Sequence, residues 1–270
     1  MDRLKFFISK YPRLKSALKR LRSIVVGSQS VSSGYTELSV EKADIEAVRL
    51  KDAWKSTDIP GKQRELVDKQ LKKFREGGYV DVFEILVMAL RGLGALRPGA
   101  TVLEIGCSSG FYSEVFAIAN LPFRYRGCDY SESFVNLAKD SYPKGEFDIE
   151  DAVALTYSDS QFDVVISGCC LLHIPKYEIA IEEAARVASD YVIFHRTPVV
   201  EGEANRYYTK FAYGLETIEI HFSESHFLDI VRRAGLILLN TFTIDESEVD
   251  GMRSAVKTYV CRKTSSNNEK

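Results

Sequence analysis

The chain is 270 residues long, which at ~150 residues per domain means one large domain or one domain with an extension. A net charge of −2 and a pI near 6.2 argue against a dedicated nucleic-acid binder, whose pI is usually above ~9. With 45% hydrophobic and 27% charged residues, global disorder is excluded.

No apolar run reaches the ~18 residues needed to cross a bilayer. Five cysteines (Cys107, Cys128, Cys169, Cys170, Cys261) contain no C-x-x-C pair. That fits a reduced, intracellular compartment and predicts a cytoplasmic location.

Residues 1–22 carry eight basic side chains (Arg3, Lys5, Lys10, Arg13, Lys15, Lys19, Arg20, Arg22) and one acid, Asp2. Leu4, Phe7, Ile8, Tyr11, Leu14, Leu18 and Leu21 recur at helical steps, giving one apolar stripe on a basic helix that Pro12 interrupts. This is either a membrane-surface contact, cationic groups meeting anionic head groups, or a basic helix packed on the domain, a frayed terminus, or a cleaved organelle signal. Residues 23–40 are Ser/Gly-rich and read as a linker, so 1–40 forms one extension. Helical patterns over about 41–56, 62–76 and 80–93 predict a helical cap spanning 41–98; the second closes at Gly77-Gly78, a C-cap that needs no Cβ.

From Ala100 short apolar strands alternate with amphipathic helices. Strands are expected at 101–106, 125–129, 146–149, 162–167, 190–195, 236–244 and 255–262. This alternation predicts an α/β fold with a doubly wound, parallel sheet over 99–262 and helices on both faces. Asp250-Gly251 leaves no room for a crossover helix, so the last two strands should pair antiparallel. Residues 263–270 read as a polar tail.

Ligands bind such sheets outside the carboxyl ends of the strands. The first strand ends in Gly106–Gly110 (G-C-S-S-G) and runs into a helix, which offers close backbone approach and free N–H groups. The second ends in Asp129, 23 residues past Gly106, where an acid suits a pair of ribose hydroxyls. A third acidic stretch, Asp148–Ala152, precedes the fourth strand. Each alone is also compatible with a cap or a solvated turn; the ordered set is the signal.

These segments, Val102–Glu114, Gly127–Phe134, Asp151–Tyr157 and Phe162–Pro175, resemble the class I S-adenosylmethionine-dependent methyltransferases over about residues 80–262. The nearest likeness is to small-molecule members whose fourth strand leads into a leucine–histidine loop. The resemblance implies a Rossmann-like sheet of seven strands in the order 3-2-1-4-5-7-6, strand 7 antiparallel, and S-adenosylmethionine as cofactor. It implies that Glu104, Gly106, Cys107, Gly110 and Tyr112 belong to the methionine-end loop. Asp129 would hold the ribose, Tyr130 would lie beside the adenine, and Asp151 and Ala152 would meet the adenine amine and ring. Cys169 would lie near the sulfonium, or serve only as small filler at a strand end. Ser108 departs from the pattern, standing where many members have the middle glycine.

An alcohol acceptor needs a base, which neutral histidine supplies near pH 7. His173 and His195, at the ends of the fourth and fifth strands, are the candidates, either as base or orienter or as mere strand-end caps. No histidine–carboxylate spacing suggests a metal. The Tyr-rich, charged stretch Arg196–Gly214 reads as a lid over a polar acceptor, a small molecule or a saccharide, lipid-linked or from a surface polysaccharide. Arg64, Arg196 and Arg206 are candidates for a phosphate or carboxylate, unless solvated. The segment around Trp54 and Gly61–Glu65 either folds over the cofactor or packs within the N-terminal helices. Neither an N-P-P-Y tetrapeptide nor a Pro-Cys nucleophile is present, so no nucleic-acid partner is expected. The competing readings are a non-catalytic interaction protein of the same fold and, against the G-x-x-x-G spacing, a nicotinamide-dependent oxidoreductase.

Overall fold

A computed structural model describes residues 32–94, 96–97, 99–249 and 252–264. The basic helix expected at 1–22, the first half of the 23–40 linker (23–31) and residues 265–270 of the polar tail lie outside the described residues. Among the described residues, ten strands form one continuous sheet.

The parallel part is built from β2 (Thr101–Ile105), β3 (Arg124–Asp129), β4 (Glu146–Ile149), β5 (Phe162–Gly168) and β6 (Ala188–Val200). They lie in the order β4-β3-β2-β5-β6. β9 (Leu236–Val249) and β10 (Met252–Lys263) follow, β10 running antiparallel to both β6 and β9. These seven strands reproduce the expected 3-2-1-4-5-7-6 order. β2 and β5 are buried on both faces, which is why they read as continuous apolar runs. Leu103, Ile105, Val165, Val192 and Phe194 face one core with α6 (Tyr177–Val187) and α7 (Glu224–Arg233). Val102, Val164, Ile166 and Ile193 face the other, with α2 (Ile59–Arg75), α3 (Asp81–Arg91) and α4 (Tyr112–Ile118). α5 (Glu132–Ser141) covers β3 and β4 through Val135 and Ala138 against Phe147.

Three further strands were not expected. β7 (Arg206–Ala212) and β8 (Leu215–Ser223) form a hairpin whose first strand and turn lie within the stretch read as a lid. Its two-residue turn, Tyr213-Gly214, has positive φ at both positions (54° and 86°), the conformation that matches the twist of paired strands. β1 (Ser32–Leu38), read as linker, pairs antiparallel with β7. The linker assignment therefore fails over 32–38. Its serines and glycine suggested coil, but strand pairing to a distant partner outweighs the weak local preference. β8 joins the main sheet by running parallel to the last two residues of β6, Val199 and Val200.

The helical cap begins with α1 (Val40–Arg49), whose Ser39 side chain accepts from the Lys42 backbone N–H at 3.4 Å. A 3-10 turn at Ala53–Lys55 and α2 and α3 follow.

Candidate active site

The carboxyl ends of β2, β3 and β5 converge, as the alternating topology requires. Leaving β2, the backbone N–H groups of Gly106 and Cys107 both donate to the Cys128 carbonyl, at 2.8 and 2.9 Å. Gly106 has φ 72°, and an added Cβ would overlap the Cys170 side chain. Only glycine fits this position, for conformation and for space. Ser108, at φ 48°, and Gly110, at φ 69°, complete the turn into α4. Ser108 thus takes a left-handed conformation without being glycine, at about 1–2 kcal/mol.

Asp129 ties this turn to β3. Its carboxylate accepts from the backbone N–H of Ser108 at 2.9 Å and of Ser131 at 3.0 Å. Burial nevertheless raises its pKa to about 6, with these backbone donors opposing. Glu104, 1% exposed, is bonded to the Tyr125 hydroxyl. Burial lifts its pKa to about 8, so it is mostly protonated at pH 7. It lies directly behind Gly168, where a Cβ would meet its carboxyl. Glu104 therefore supports the strand ends from beneath. Cys107 sits in the expected loop with its side chain fully buried against Gly127, in the cluster with Val135, Ala138 and Phe147. Only its backbone faces the turn.

At the next strand end Asp151 is exposed and accepts from the Val153 N–H at 3.1 Å, while Ala152 is buried beside it. The Tyr130 hydroxyl donates to the Lys51 carbonyl at 3.4 Å, Lys55 Nζ lies 5.3 Å from its ring centroid, and Ser133 donates to the Ser56 carbonyl at 3.3 Å. The N-terminal segment thus folds over this edge, where Gln63 also accepts from the Ser108 hydroxyl at 2.7 Å. Gln63 lies in the Gly61–Glu65 segment, one of whose two expected placements is over the cofactor; its contact with Ser108, 45 residues away in sequence, has no local signal of its own. The Ser109 and Tyr112 hydroxyls are buried without a well-formed hydrogen bond, and buried polar groups rarely stay so unless a ligand or water completes them. A polar ligand with ribose-like hydroxyls at Asp129 and a polar end at the Gly106–Gly110 turn fits this donor and acceptor set.

Beyond the turn a second wall stands. Trp54 lies 4.7 Å from the His173 ring, centroid to centroid, and 6.5 Å from Tyr213 at the β7–β8 hairpin tip. His173 Nδ1 is 2.6 Å from the Ile218 carbonyl. A carbonyl only accepts, so Nδ1 carries the proton and Nε2 presents its lone pair. Burial, then the Lys210 charge, lowers the His173 pKa to about 4. Lys210 is itself paired with Glu219, both nearly buried. Against burial, the His221 hydrogen bond and Lys210 hold the Glu219 pKa at about 2.

His195 lies elsewhere. It is 1% exposed, with Nδ1 2.8 Å from the Thr258 hydroxyl of β10 and its ring 5.7 Å from that of Tyr112. Burial, with the Arg196 charge, keeps its pKa far below the usual imidazole range. The expectation of His195 as base is corrected: it is a core histidine joining β6 to β10, with Nε2 buried and without a well-formed hydrogen bond among the described residues. Cys169, with φ 67°, donates its backbone N–H to the His195 carbonyl at 3.0 Å and stands half-buried at the end of β5. Among the described residues no cluster of His, Cys, Asp or Glu is arranged to hold a metal ion.

Comparison with known proteins matches residues 103–193 to the family model described as Methyltransferase domain. The 2-methyl-6-phytyl-1,4-hydroquinone methyltransferase of Synechocystis is 35% identical over 99 residues, 36% of this chain and 31% of that protein. The 27-O-demethylrifamycin SV methyltransferase of Amycolatopsis mediterranei is 36% identical over 104 residues, 36% of this chain and 38% of that protein. The chain thus spans about a third of the length of these relatives. A solved structure from Listeria monocytogenes, described as an S-adenosylmethionine-dependent methyltransferase, superposes with a TM-score of 0.50 at 16% identity, covering 66% of this chain and 97% of that one; at that identity it speaks to the fold. Residues 103–193 thus match a methyltransferase domain.

Proposed function

We propose that the protein transfers a methyl group from S-adenosylmethionine to a hydroxyl of a polar small molecule, a saccharide end included. The observation that carries this reading is the meeting, at one sheet edge, of the Asp129-tied glycine turn with a wall whose histidine has its lone pair free. The relatives named for a hydroquinone and for a demethylated rifamycin support a small-molecule acceptor.

The bound cofactor supplies an electrophilic methyl group on a sulfonium, and the remaining work is alignment. Asp129 accepts from the ribose hydroxyls, with Tyr130 beside the adenine and Asp151 and Ala152 at its amine and ring edge. The Gly106–Gly110 turn and the Ser109 hydroxyl receive the methionine end, next to Cys169. His173 Nε2 accepts the hydrogen bond of the acceptor hydroxyl and takes its proton as the oxygen is alkylated. A weak base suffices, because the oxygen becomes strongly acidic as the new C–O bond forms. Trp54 and the Ile218 carbonyl fix the ring that does this. In the same reading residues 1–22 give contact with an anionic membrane surface. Equal co-sedimentation with anionic liposomes by the full chain and a chain lacking 1–22 would remove that part.

Calorimetric titration tests the reading. S-adenosylmethionine should bind and NADH should not, and Asp129→Ala should weaken binding about 100-fold or more, since hydrogen bonds to a charged group contribute ~1.5–3 kcal/mol each. Preference for NADH would overturn the proposal. Cofactor binding without methyl transfer to any acceptor would instead favour a non-catalytic interaction protein.

A further inference from the structure

Five arginines among the described residues are partly buried: Arg64, Arg126, Arg186, Arg196 and Arg206. Four have a carboxylate at hydrogen-bond distance. Arg64 holds Asp68 at 2.8 Å, Arg126 holds Asp148 at 2.6 Å, Arg186 holds Glu183 at 2.7 Å and Arg206 holds Glu37 at 2.6 Å. Arg196 forms no ion pair with any described residue. A guanidinium withdrawn from water without a counter-charge is costly, so such charges are ordinarily paired. Its neighbours are the Tyr112 hydroxyl, Tyr213 and Cys169, none of them a carboxylate. The nearby Lys210–Glu219 pair balances itself and leaves the Arg196 charge uncompensated.

The backbone around Arg196 is irregular in a way that aims the side chain. β10 residue Lys257 pairs with Thr197 and Tyr259 with Phe194, so His195 and Arg196 together stand opposite the single residue Thr258. That is a β-bulge, a device that redirects one side chain and is frequent beside active sites. Arg196 takes φ 61° in it, and Cys169 across the strand ends takes φ 67°. The His195–Thr258 hydrogen bond at 2.8 Å spans the bulge and fixes it. This gives the buried histidine a positioning role. The Tyr112 hydroxyl, in a residue 1% exposed, meets the Arg196 guanidinium and has no other hydrogen-bond partner.

We propose that the Arg196 bulge, with the Tyr112 and Tyr213 hydroxyls, is a receptor for an anionic group, so that the acceptor is an acid bearing a carboxylate or phosphate. The inference rests on the methyltransferase reading and adds the acceptor's charge to it. A guanidinium fork takes either oxyanion through paired hydrogen bonds. The carboxylate of the cofactor's own methionine end is the other source of the same chemistry.

The experiment separates these sources. The chain has one tryptophan, Trp54, on the wall shared with Tyr213, so its fluorescence reports the site. S-adenosylhomocysteine affinity is first measured by calorimetry for the wild type, Arg196→Gln and Arg196→Lys. The product-loaded proteins are then titrated with acetate and with inorganic phosphate. The proposal expects saturable anion binding to the loaded wild type, at least tenfold weaker in Arg196→Gln and substantially restored in Arg196→Lys. Affinity for S-adenosylhomocysteine should change less than threefold, which also shows that the variants fold. A tenfold loss of S-adenosylhomocysteine affinity in Arg196→Gln would assign the guanidinium to the cofactor carboxylate and overturn the proposal. So would the absence of binding by either anion. Failure of the wild type to bind S-adenosylhomocysteine at all would overturn the underlying methyltransferase reading first.

Discussion

The two sides of the site are assembled in opposite ways. On the proposed cofactor side, each residue sits at or just past the end of a strand: Gly106 after β2, Asp129 closing β3, Asp151 after β4. On the acceptor side, the wall is made by residues that meet only in three dimensions. Trp54 comes from the N-terminal segment, His173 from the loop after β5, Arg196 from a bulge in β6 and Tyr213 from the β7–β8 turn. The first side is a set of local solutions to one backbone problem. The second is an addition, an antiparallel β1–β7–β8 unit joined to the sheet through two residues of β6.

If this division holds, substitutions on the two sides should fail differently. The largest effect is expected on the acceptor side. With an acceptor identified by a methyl-transfer screen, His173→Gln should lower turnover ~10²–10⁴-fold while leaving S-adenosylhomocysteine affinity nearly unchanged. His195→Gln should cost less than tenfold in turnover, its effect appearing in the unfolding midpoint instead. Equal losses in the two variants would erase the distinction drawn between the histidines. On the cofactor side, Gly106→Ala places a methyl group into Cys170 at φ 72°. Combined overpacking and strain should lower stability by about 2–4 kcal/mol, read in denaturant unfolding, with cofactor binding lost in the protein that remains folded.

A gentler probe is pH. Asp129, with its pKa raised to about 6, accepts from ribose hydroxyls best when ionised. S-adenosylhomocysteine affinity should therefore be flat above about pH 7 and fall by up to tenfold per unit below pH 6, as calorimetry across pH 5–8 would measure. Asp129→Asn should flatten the profile at a uniformly weaker affinity. A pH dependence that survives this substitution would point to another group.

The same contrast explains what could be read from sequence. The central sheet, its order and the antiparallel last strand follow from alternation, turn length and resemblance, because strand–turn–helix units carry local signals. Ser32–Leu38 was misread because a strand stabilised by a partner some 170 positions later looks, locally, like a polar linker. Arg196 was visible only as one arginine among several; its singularity emerges when the others are found paired. His195 was misplaced because a strand end near the ligand edge does not reveal which way the side chain turns, and here it turns into the core. Cys107 has its backbone at the turn and its sulfur beneath it, a division that sequence position alone does not show.

β1 also sets a timetable for synthesis. Glu37 and its partner Arg206 are 169 residues apart, so at ~5–20 residues per second the ribosome takes about 8–34 s to make one after the other. For that interval the 32–38 segment has no β7 to pair with. Its composition, S-S-G-Y-T-E-L, suits the wait: polar, interrupted by glycine and carrying an acid, it lacks the apolar continuity through which an unpaired strand recruits the wrong neighbour. The polarity that disguised the strand as linker is what lets it remain harmless until its place in the sheet exists.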